Sequence, residues 1–302
     1  MGTISEKLGR QLSEAKAGRR ATPVSNLRRL ARRVQRKLGP ARSPHGFQDY
    51  HPSHAVYLAA QNLVSYLAEE MSTLREMWEY SAIVGPAEDE YMPDGPPFSP
   101  LTRSYFTTWA FFDASFGQGR ETIGTCLLDI GPDLGISPDY LAAIRFMQQS
   151  RMGIYEHRGV EGEHVRLREL ISGQSYTCLV PAGYLGQAGE LWYARILPPP
   201  FADLDDSLVF TTPYHLIAPG KKAWTDFLNR TMAKTGLPIS QSARTGSANE
   251  YPALEALMKY GLHRNYWHEF VFQAYVNYRH DVVLLAGLPD VPESLPHAPQ
   301  SD

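Results

Sequence analysis

The sequence predicts an α+β protein, in which helical N-terminal and C-terminal regions lie around a small antiparallel β-barrel-like module. Two observations support this fold class. Apolar residues recur at spacings of three and four up to about residue 154 and again after residue 219, which is the period of amphipathic helices. Between residues 155 and 218 they alternate in short runs separated by glycines and prolines, which is typical of the strands of a small barrel or curled sheet.

Length and composition agree with a globular protein. The chain has 302 residues, of which 43% are hydrophobic, so it can bury a sizeable core without disulfides. The only cysteines, Cys126 and Cys178, lack the spacing of a zinc site and indicate buried small side chains in a reducing compartment. No run reaches the ~18–20 apolar residues of a membrane helix. We therefore expect a cytoplasmic protein.

Charge is divided unevenly along the chain. Residues 1–45 contain twelve Lys and Arg residues but two acids, a local charge of +10. Because the whole chain carries −3, the remainder carries −13. This asymmetry predicts that residues 1–45 form a basic arm, partly helical or disordered, that contacts an acidic partner.

One amphipathic helix is predicted within the arm. It runs from Asn26 to Leu38, with Ser25 as its N-cap and Pro40 beyond its end. Its apolar stripe comprises Leu27, Leu30, Ala31, Val34 and Leu38. Six bases cover most of the remaining surface and are the candidate nucleic-acid-binding residues: Arg28, Arg29, Arg32, Arg33, Arg36 and Lys37.

The partner of the arm is left open by the sequence. Nucleic acid is the first candidate and an acidic protein surface the second, while a membrane surface is less favoured. The arm can also dock on the acidic body of its own chain, or remain a solvated tail. Because residues 1–45 contain no aromatic side chain, binding to nucleic acid would be independent of sequence and sensitive to salt.

Residues 46–154 are predicted to be mainly helical. A long helix from Ser53 to Tyr80 is followed by a proline-rich acidic loop from Gly85 to Pro100. A glycine-rich loop then leads into a short strand from Thr122 to Ile130, and a second helix extends from Ser137 to about Ser150.

The β module is predicted over residues 155–218. Its strands include Tyr176–Val180, Leu191–Leu197 and a run from Leu208 to Ile217, in which Pro213 marks an edge or a bulge. The pieces ELISGQSYTC and GELWYARILPPP, within residues 165–200, resemble the β module of uncharacterised bacterial SEC-C-motif proteins. The resemblance covers about an eighth of the chain, lacks the Cys-rich zinc tail, and implies turns and core positions but no catalytic residue.

The C-terminal part returns to helical periodicity. Residues 219–288 form a predicted helical region that ends in a short strand beginning at Val282. The segment 289–302 contains four prolines and is predicted to be disordered.

Patterns that would identify catalytic residues are weak, so these are left unknown, and neither a metal nor a cofactor is predicted. His51 and His54 are three positions apart but have no obvious third ligand. His263 and His268 are five apart on one predicted helix, about 140° apart around its axis, which excludes the His-Glu-x-x-His zinc pattern despite Glu269.

Two further groups suggest chemistry only if the fold assembles them. Asp113, Glu121 and Asp129 could serve a nuclease built on scattered carboxylates. The second group either stacks on single-stranded nucleic acid or fills the core of the β module: Tyr184, Trp192, Tyr193 and Arg195.

Three functional hypotheses follow. The first is a non-enzymatic binding or accessory protein whose basic arm contacts nucleic acid or another acidic partner. The second is an enzyme of hydrolase or nuclease type, with a site between the helices and the β module that involves His268 or His215 with a carboxylate. The third is a structural subunit that assembles with other subunits.

Overall fold

A computed structural model describes residues 3–17, 23–91, 100–217, 220–222, 224–226 and 283–285, with backbone alone at 90–91, 100–105 and 283–285. Seven helices have bounds within this part: α1 (Ile4–Lys16), α2 (Val24–Leu38), α3 (Pro52–Ser72), α4 (Trp78–Tyr91), α5 (Pro100–Phe112), α6 (Ile123–Leu134) and α7 (Pro138–Gln149). Residues 221–222 and 224–226 are also helical. A 3₁₀ turn, Arg75–Met77, precedes α4.

Seven strands follow in the described chain: β1 (Met152–Glu161), β2 (His164–Glu169), β3 (Ser175–Leu179), β4 (Leu191–Leu197), β5 (Ser207–Val209), β6 (Tyr214–Leu216) and β7 (Val283–Leu285). The chain divides into two compact units. Among the described residues, a helical unit contains 3–17, 23–90, 106–149 and 199–205, and a β unit contains 91, 100–105, 150–198, 206–217, 220–222, 224–226 and 283–285.

The first two helices belong to the helical unit. Helix α1 begins with a capping box, in which the Thr3 hydroxyl accepts from the Glu6 amide and the Glu6 carboxylate accepts from the Thr3 amide. It buries Leu8 and Leu12, and α2 packs against α3 and α6. The described residues of the predicted basic arm are therefore part of the helical unit. The apolar stripes of α1 and α2 are buried against other helices of that unit, since exposing them to water would be unfavourable.

Two predicted elements differ in the helical unit. The helix expected from Ser53 to Tyr80 is interrupted at Thr73–Leu74, between α3 and the 3₁₀ turn. The strand expected from Thr122 to Ile130 is wrong, since this segment forms α6. The Thr122 hydroxyl caps α6 by accepting a hydrogen bond from the Thr125 amide. The buried apolar residues of α6 lie at helical spacing: Ile123, Cys126, Leu127 and Ile130.

The β unit contains a small closed barrel. Strands pair in the ring β1-β2-β3-β5-β4, and β4 closes it by pairing with β1. All pairings in this ring are antiparallel except the parallel β3–β5 pair. Strands β6 and β7 continue the sheet from β4, and Pro213 lies between β5 and β6 where pairing is interrupted. The predicted α+β class with a small barrel module is confirmed.

The barrel closes around a core in which aromatic and aliphatic side chains from several strands meet. Trp192, Val165, Leu167 and Cys178 are fully buried there. A buried ion pair lies at its edge, where Arg151 Nη1 is 3.0 Å from Glu169 Oε1 and the Ser172 amide donates to Glu169 Oε2 at 2.6 Å. Backbone and side-chain donors thus satisfy the carboxylate, as a buried charge requires.

Other expectations lie largely outside the described residues. The predicted helical region 219–288 is described only at 220–222, 224–226 and 283–285, and the last of these forms β7. The predicted disordered tail, 289–302, is outside the described part. Within the part described, no helix combines the length and the apolar character needed to cross a bilayer.

Candidate nucleic-acid interface

Helix α2 presents two chemically opposite faces. Its buried face consists of Val24, Leu27, Ala31, Val34 and Leu38. The helix contains six bases and no acid; five of the bases lie away from the buried stripe, and Arg28 borders it. Arg28 is half-buried, whereas five are exposed: Arg29, Arg32, Arg33, Arg36 and Lys37.

Neutral groups hold α2 against its neighbours. Gln35 donates from Nε2 to the Gly135 carbonyl at 3.1 Å, and its Oε1 accepts from the Ser137 amide at 2.8 Å. The Tyr140 hydroxyl donates to the Gly39 carbonyl at 3.1 Å, just after the helix ends. Because apolar contacts and these hydrogen bonds fix the helix, its bases are not needed for docking.

The bases of α2 differ in their ion pairing from the bases that precede and follow this helix in the chain. Lys16, at the end of α1, lies 2.5 Å from Asp133, and Arg42 lies 2.9 Å from Asp203 and 3.6 Å from Asp139. None of the six α2 bases forms an ion pair with a carboxylate of the described residues. Arg29 instead bonds to the Asn26 side chain, and Arg36 Nε donates to the Arg32 carbonyl at 3.4 Å. The positive charge of α2 is therefore not neutralised by carboxylates of the described residues.

An aromatic ring lies next to this basic face. Lys37 Nζ is 5.9 Å from the ring centroid of Tyr66, a residue of α3 whose exposed fraction is 42%. No sequence pattern predicts this neighbour, since Tyr66 is outside the apolar stripe of α3 and 29 positions from Lys37. Only the packing of α2 on α3 brings them together.

The histidine pair at the start of α3 is half-buried. Burial, together with the charge of the neighbouring His51, lowers the pKa of His54 to about 4. His54 packs edge-on against the Tyr50 ring, with a centroid distance of 5.4 Å. In the part of the chain that the structure describes, no group of three or more potential metal ligands converges.

The three carboxylates proposed for a nuclease have different environments. Glu121 is buried and accepts from the backbone amides of Ile4 and Ser5, at 2.7 and 2.8 Å, and from the Ser5 hydroxyl. It therefore satisfies the open N-terminus of α1. Asp113 is buried, whereas Asp129 is exposed. Glu121 is thus engaged in holding α1.

Of the candidate stacking group in the β unit, Trp192, Tyr193 and Arg195 lie in the core, whereas Tyr184 is half-buried. Trp192, Tyr193 and Arg195 are each at most 2% exposed. Trp192 Nε1 and the Tyr184 hydroxyl both donate to the Glu190 carboxylate, at 2.8 and 3.1 Å. Because the rings of Trp192 and Tyr193 are covered, a nucleic-acid base has no access to their faces in this conformation.

The remaining candidates are the two cysteines, His215 and the group His263, His268 and Glu269. Both cysteines are buried, and burial raises the pKa of Cys126 and of Cys178 to about 12, so their thiols stay protonated at neutral pH. His215 is half-buried in β6. His263, His268 and Glu269 lie outside the described residues.

Comparisons with known proteins identify no relative: no family model matches the chain, and neither the curated proteins nor the solved structures searched contain a match.

Proposed function

We propose that this protein is a non-enzymatic binding or accessory protein that contacts nucleic acid through the basic face of α2. One observation carries the proposal. Six bases project from a helix whose opposite face is buried, and none is neutralised by a carboxylate of the described residues.

Helix geometry suits a phosphate backbone. Arg28 to Lys37 span about 14 Å of helix axis at 1.5 Å per residue. Duplex DNA carries one negative charge per about 1.7 Å of its axis, so several phosphates lie within reach of this face. A docked helix also loses less conformational entropy on binding than a disordered arm would.

Tyr66 adds a preference that the charges alone do not provide. A half-exposed phenol beside Lys37 offers a surface on which an unpaired base can stack. We therefore expect single strands to bind more tightly than duplexes of the same length. Specificity for sequence is not expected, because no described group is arranged to read base edges.

The test is fluorescence anisotropy with a labelled oligonucleotide, titrated at several salt concentrations between about 50 and about 200 mM. Replacing Arg29, Arg33 and Arg36 together by Gln removes three exposed positive charges and keeps a good helix former at each position. The slope of log K against log salt should fall by about two to three units.

A matched control carries the same change in net charge in the β unit. Arg158, Arg166 and Arg168 are exposed, and replacing all three by Gln should leave the oligonucleotide affinity nearly unchanged. Equal losses in the two triple variants would contradict a specific interface on α2. If the wild type fails to bind nucleic acid but is retained by an acidic protein such as a polyglutamate matrix, the partner is instead an acidic protein surface.

The likeness of residues 165–200 to the SEC-C-associated β module remains a proposal. The two matching pieces contribute the turn at Ser172–Gly173 and the strands β3 and β4. Both pieces lie within the barrel, which agrees with a pattern of turns and core positions.

A further inference from the structure

The exposed face of α4, in the helical unit, begins with apolar side chains and ends with acidic ones. Trp78, Ala82 and Pro86 repeat at intervals of four and are all exposed. Trp78 has an exposed fraction of 65%, the highest among the large hydrophobic side chains of the described residues. A tryptophan is normally largely buried, so its exposure here marks a candidate contact surface for another molecule.

The side-chain charge of α4 is entirely negative. Its sequence contains four acids and no base, and residues 88–90, near its C-terminal end, are all acidic. The helix dipole is also negative at this end, so these acids are not compensated by the backbone. Glu88 and Asp89 are exposed and form no ion pair with a base of the described residues. A cationic group is therefore the electrostatic complement of this end of the face.

A cleft of about 570 Å³ adjoins Trp78 at the other end. The start of α1, the 3₁₀ turn, the start of α4 and the loop at residues 117–119 form its walls. Its lining contains three carboxylates and two cations: Glu76, Glu79 and Glu121 against Lys7 and Arg75. Glu76 and Glu79 accept hydrogen bonds from neutral groups, the Gln11 side chain at 2.7 Å and the Gly117 amide at 2.8 Å. The side chains around Trp78 thus carry no excess of positive charge that would oppose a cation there.

Arginine is the side chain that suits both an exposed indole and a pair of carboxylates. Its planar guanidinium stacks on aromatic faces and matches the geometry of a carboxylate, whereas the ammonium of lysine is a more strongly hydrated point charge. Tryptophan is the best of the aromatic rings for this contact, and it is enriched among the residues that dominate interface energies.

We infer that the exposed face of α4 docks an arginine-rich segment of a partner protein. One guanidinium stacks on Trp78, and others pair with Glu88 and Asp89, about 15 Å further along the helix axis. An extended segment covers this distance with about five residues. This surface uses no residue of α2 and goes beyond the function proposed for that helix.

The experiment is fluorescence anisotropy of the full chain with labelled octa-arginine and octa-lysine, two peptides whose side chains carry the same charge. Octa-arginine should bind about threefold or more tightly than octa-lysine, because only guanidinium groups stack well on the indole. Trp78→Ala should abolish this difference, and Trp78→Phe should retain part of it. Since Trp78 is exposed, thermal melting should show that both variants remain folded.

Two matched controls isolate the ring and the acids. Tyr66→Ala removes another exposed ring and should leave the preference for octa-arginine unchanged. Replacing Glu88 by Gln together with Asp89 by Asn should weaken the binding of both peptides. The same change in net charge at Glu161 and Glu163, two exposed acids of the β unit, should have little effect.

Three results would overturn the inference: equal affinity of the wild type for the two peptides, a preference for arginine that persists in Trp78→Ala, or equal losses in the two double variants. Self-association of the chain that Trp78→Ala abolishes, measured by light scattering, would assign this face to a second copy instead. The α2 proposal is tested separately, by the oligonucleotide titration.

Discussion

The two units of the molecule treat their surface charge differently. In the β unit, several exposed bases have acidic neighbours: Arg158 and Lys221 both contact Glu156, at 3.1 and 2.9 Å, and Arg166 lies 4.0 Å from Glu161. A hydrogen bond from Lys221 holds the pKa of Glu156 below its ordinary value, against the opposing effect of partial burial. On α2 of the helical unit, six bases have no such neighbour among the described residues.

The difference distinguishes charged side chains that form ion pairs within the fold from charged side chains that form none with the described residues. Arg151 and Glu169 of the β unit are buried together, so their charges are part of the structure. The bases of α2 project from a helix held by apolar packing and neutral hydrogen bonds. Unpaired surface charge does little for folding stability, and the function proposed above assigns these bases to binding.

The largest expected effect breaks the buried pair of the β unit. Glu169→Gln leaves the Arg151 guanidinium without its charged partner, and we expect the free energy of unfolding to fall by about 3–5 kcal/mol. Urea denaturation followed by circular dichroism measures the loss. Glu161→Gln, which breaks only the surface pair with Arg166, should cost about 0–1 kcal/mol. Similar losses in both variants would show that burial does not distinguish the two pairs.

A second substitution tests the apolar docking of α2. Leu27 is fully buried, so Leu27→Ala should lower the free energy of unfolding by about 2–5 kcal/mol through lost burial and a residual cavity. Leu30, on the same helix, is only half-buried, and Leu30→Ala should cost clearly less. The same urea unfolding curves compare the two. If Leu27→Ala is as mild as Leu30→Ala, the helix is not anchored by its buried stripe.

The smallest effect concerns pH and the helical unit. The pKa of His54 is lowered from 6.5 to about 4 in the folded protein. Between these two pH values His54 is therefore protonated in the unfolded chain and neutral in the folded one. Above about pH 6.5 this histidine contributes nothing to pH dependence, and between about pH 6.5 and 4 stability falls as pH decreases, by at most about 1.4 kcal/mol per pH unit. Replacing His54 by Gln should flatten this part of the stability curve, measured by urea unfolding at several pH values. Parallel curves for wild type and variant would argue against a buried neutral imidazole.

Much of the local structure was predictable. The stripe of α2 predicted a helix over Asn26–Leu38, and the structure has Val24–Leu38. The interruption at Pro213 was also predicted, since proline cannot donate to a strand ladder. The helical structure of residues 122–130 was not predicted, because a short apolar run that follows glycines is as typical of a strand as of a helix. The Thr122 cap and the spacing of Ile123, Cys126 and Leu127 were the available signals for α6.

The candidate site was predicted only in part. The six bases of α2 were identified from charge patterning, whereas the ring of Tyr66 was not. The cleft around Trp78 also left no sequence signal, since its walls come from four separate segments. Neighbours of this kind arise from tertiary packing, and no local pattern encodes them.

The fold class, the amphipathic character of α2 and the charge asymmetry of the chain follow from the sequence alone, because periodicity records which side chains avoid water. Periodicity does not identify the elements against which an apolar helix face packs. Only the tertiary structure shows that α2 packs on α3 and α6 through its apolar stripe, and that its bases are left without described acidic neighbours. The segment 1–45, predicted to be a basic arm that is partly helical or disordered, is in its described residues a folded part of the helical unit, with most of the α2 bases exposed.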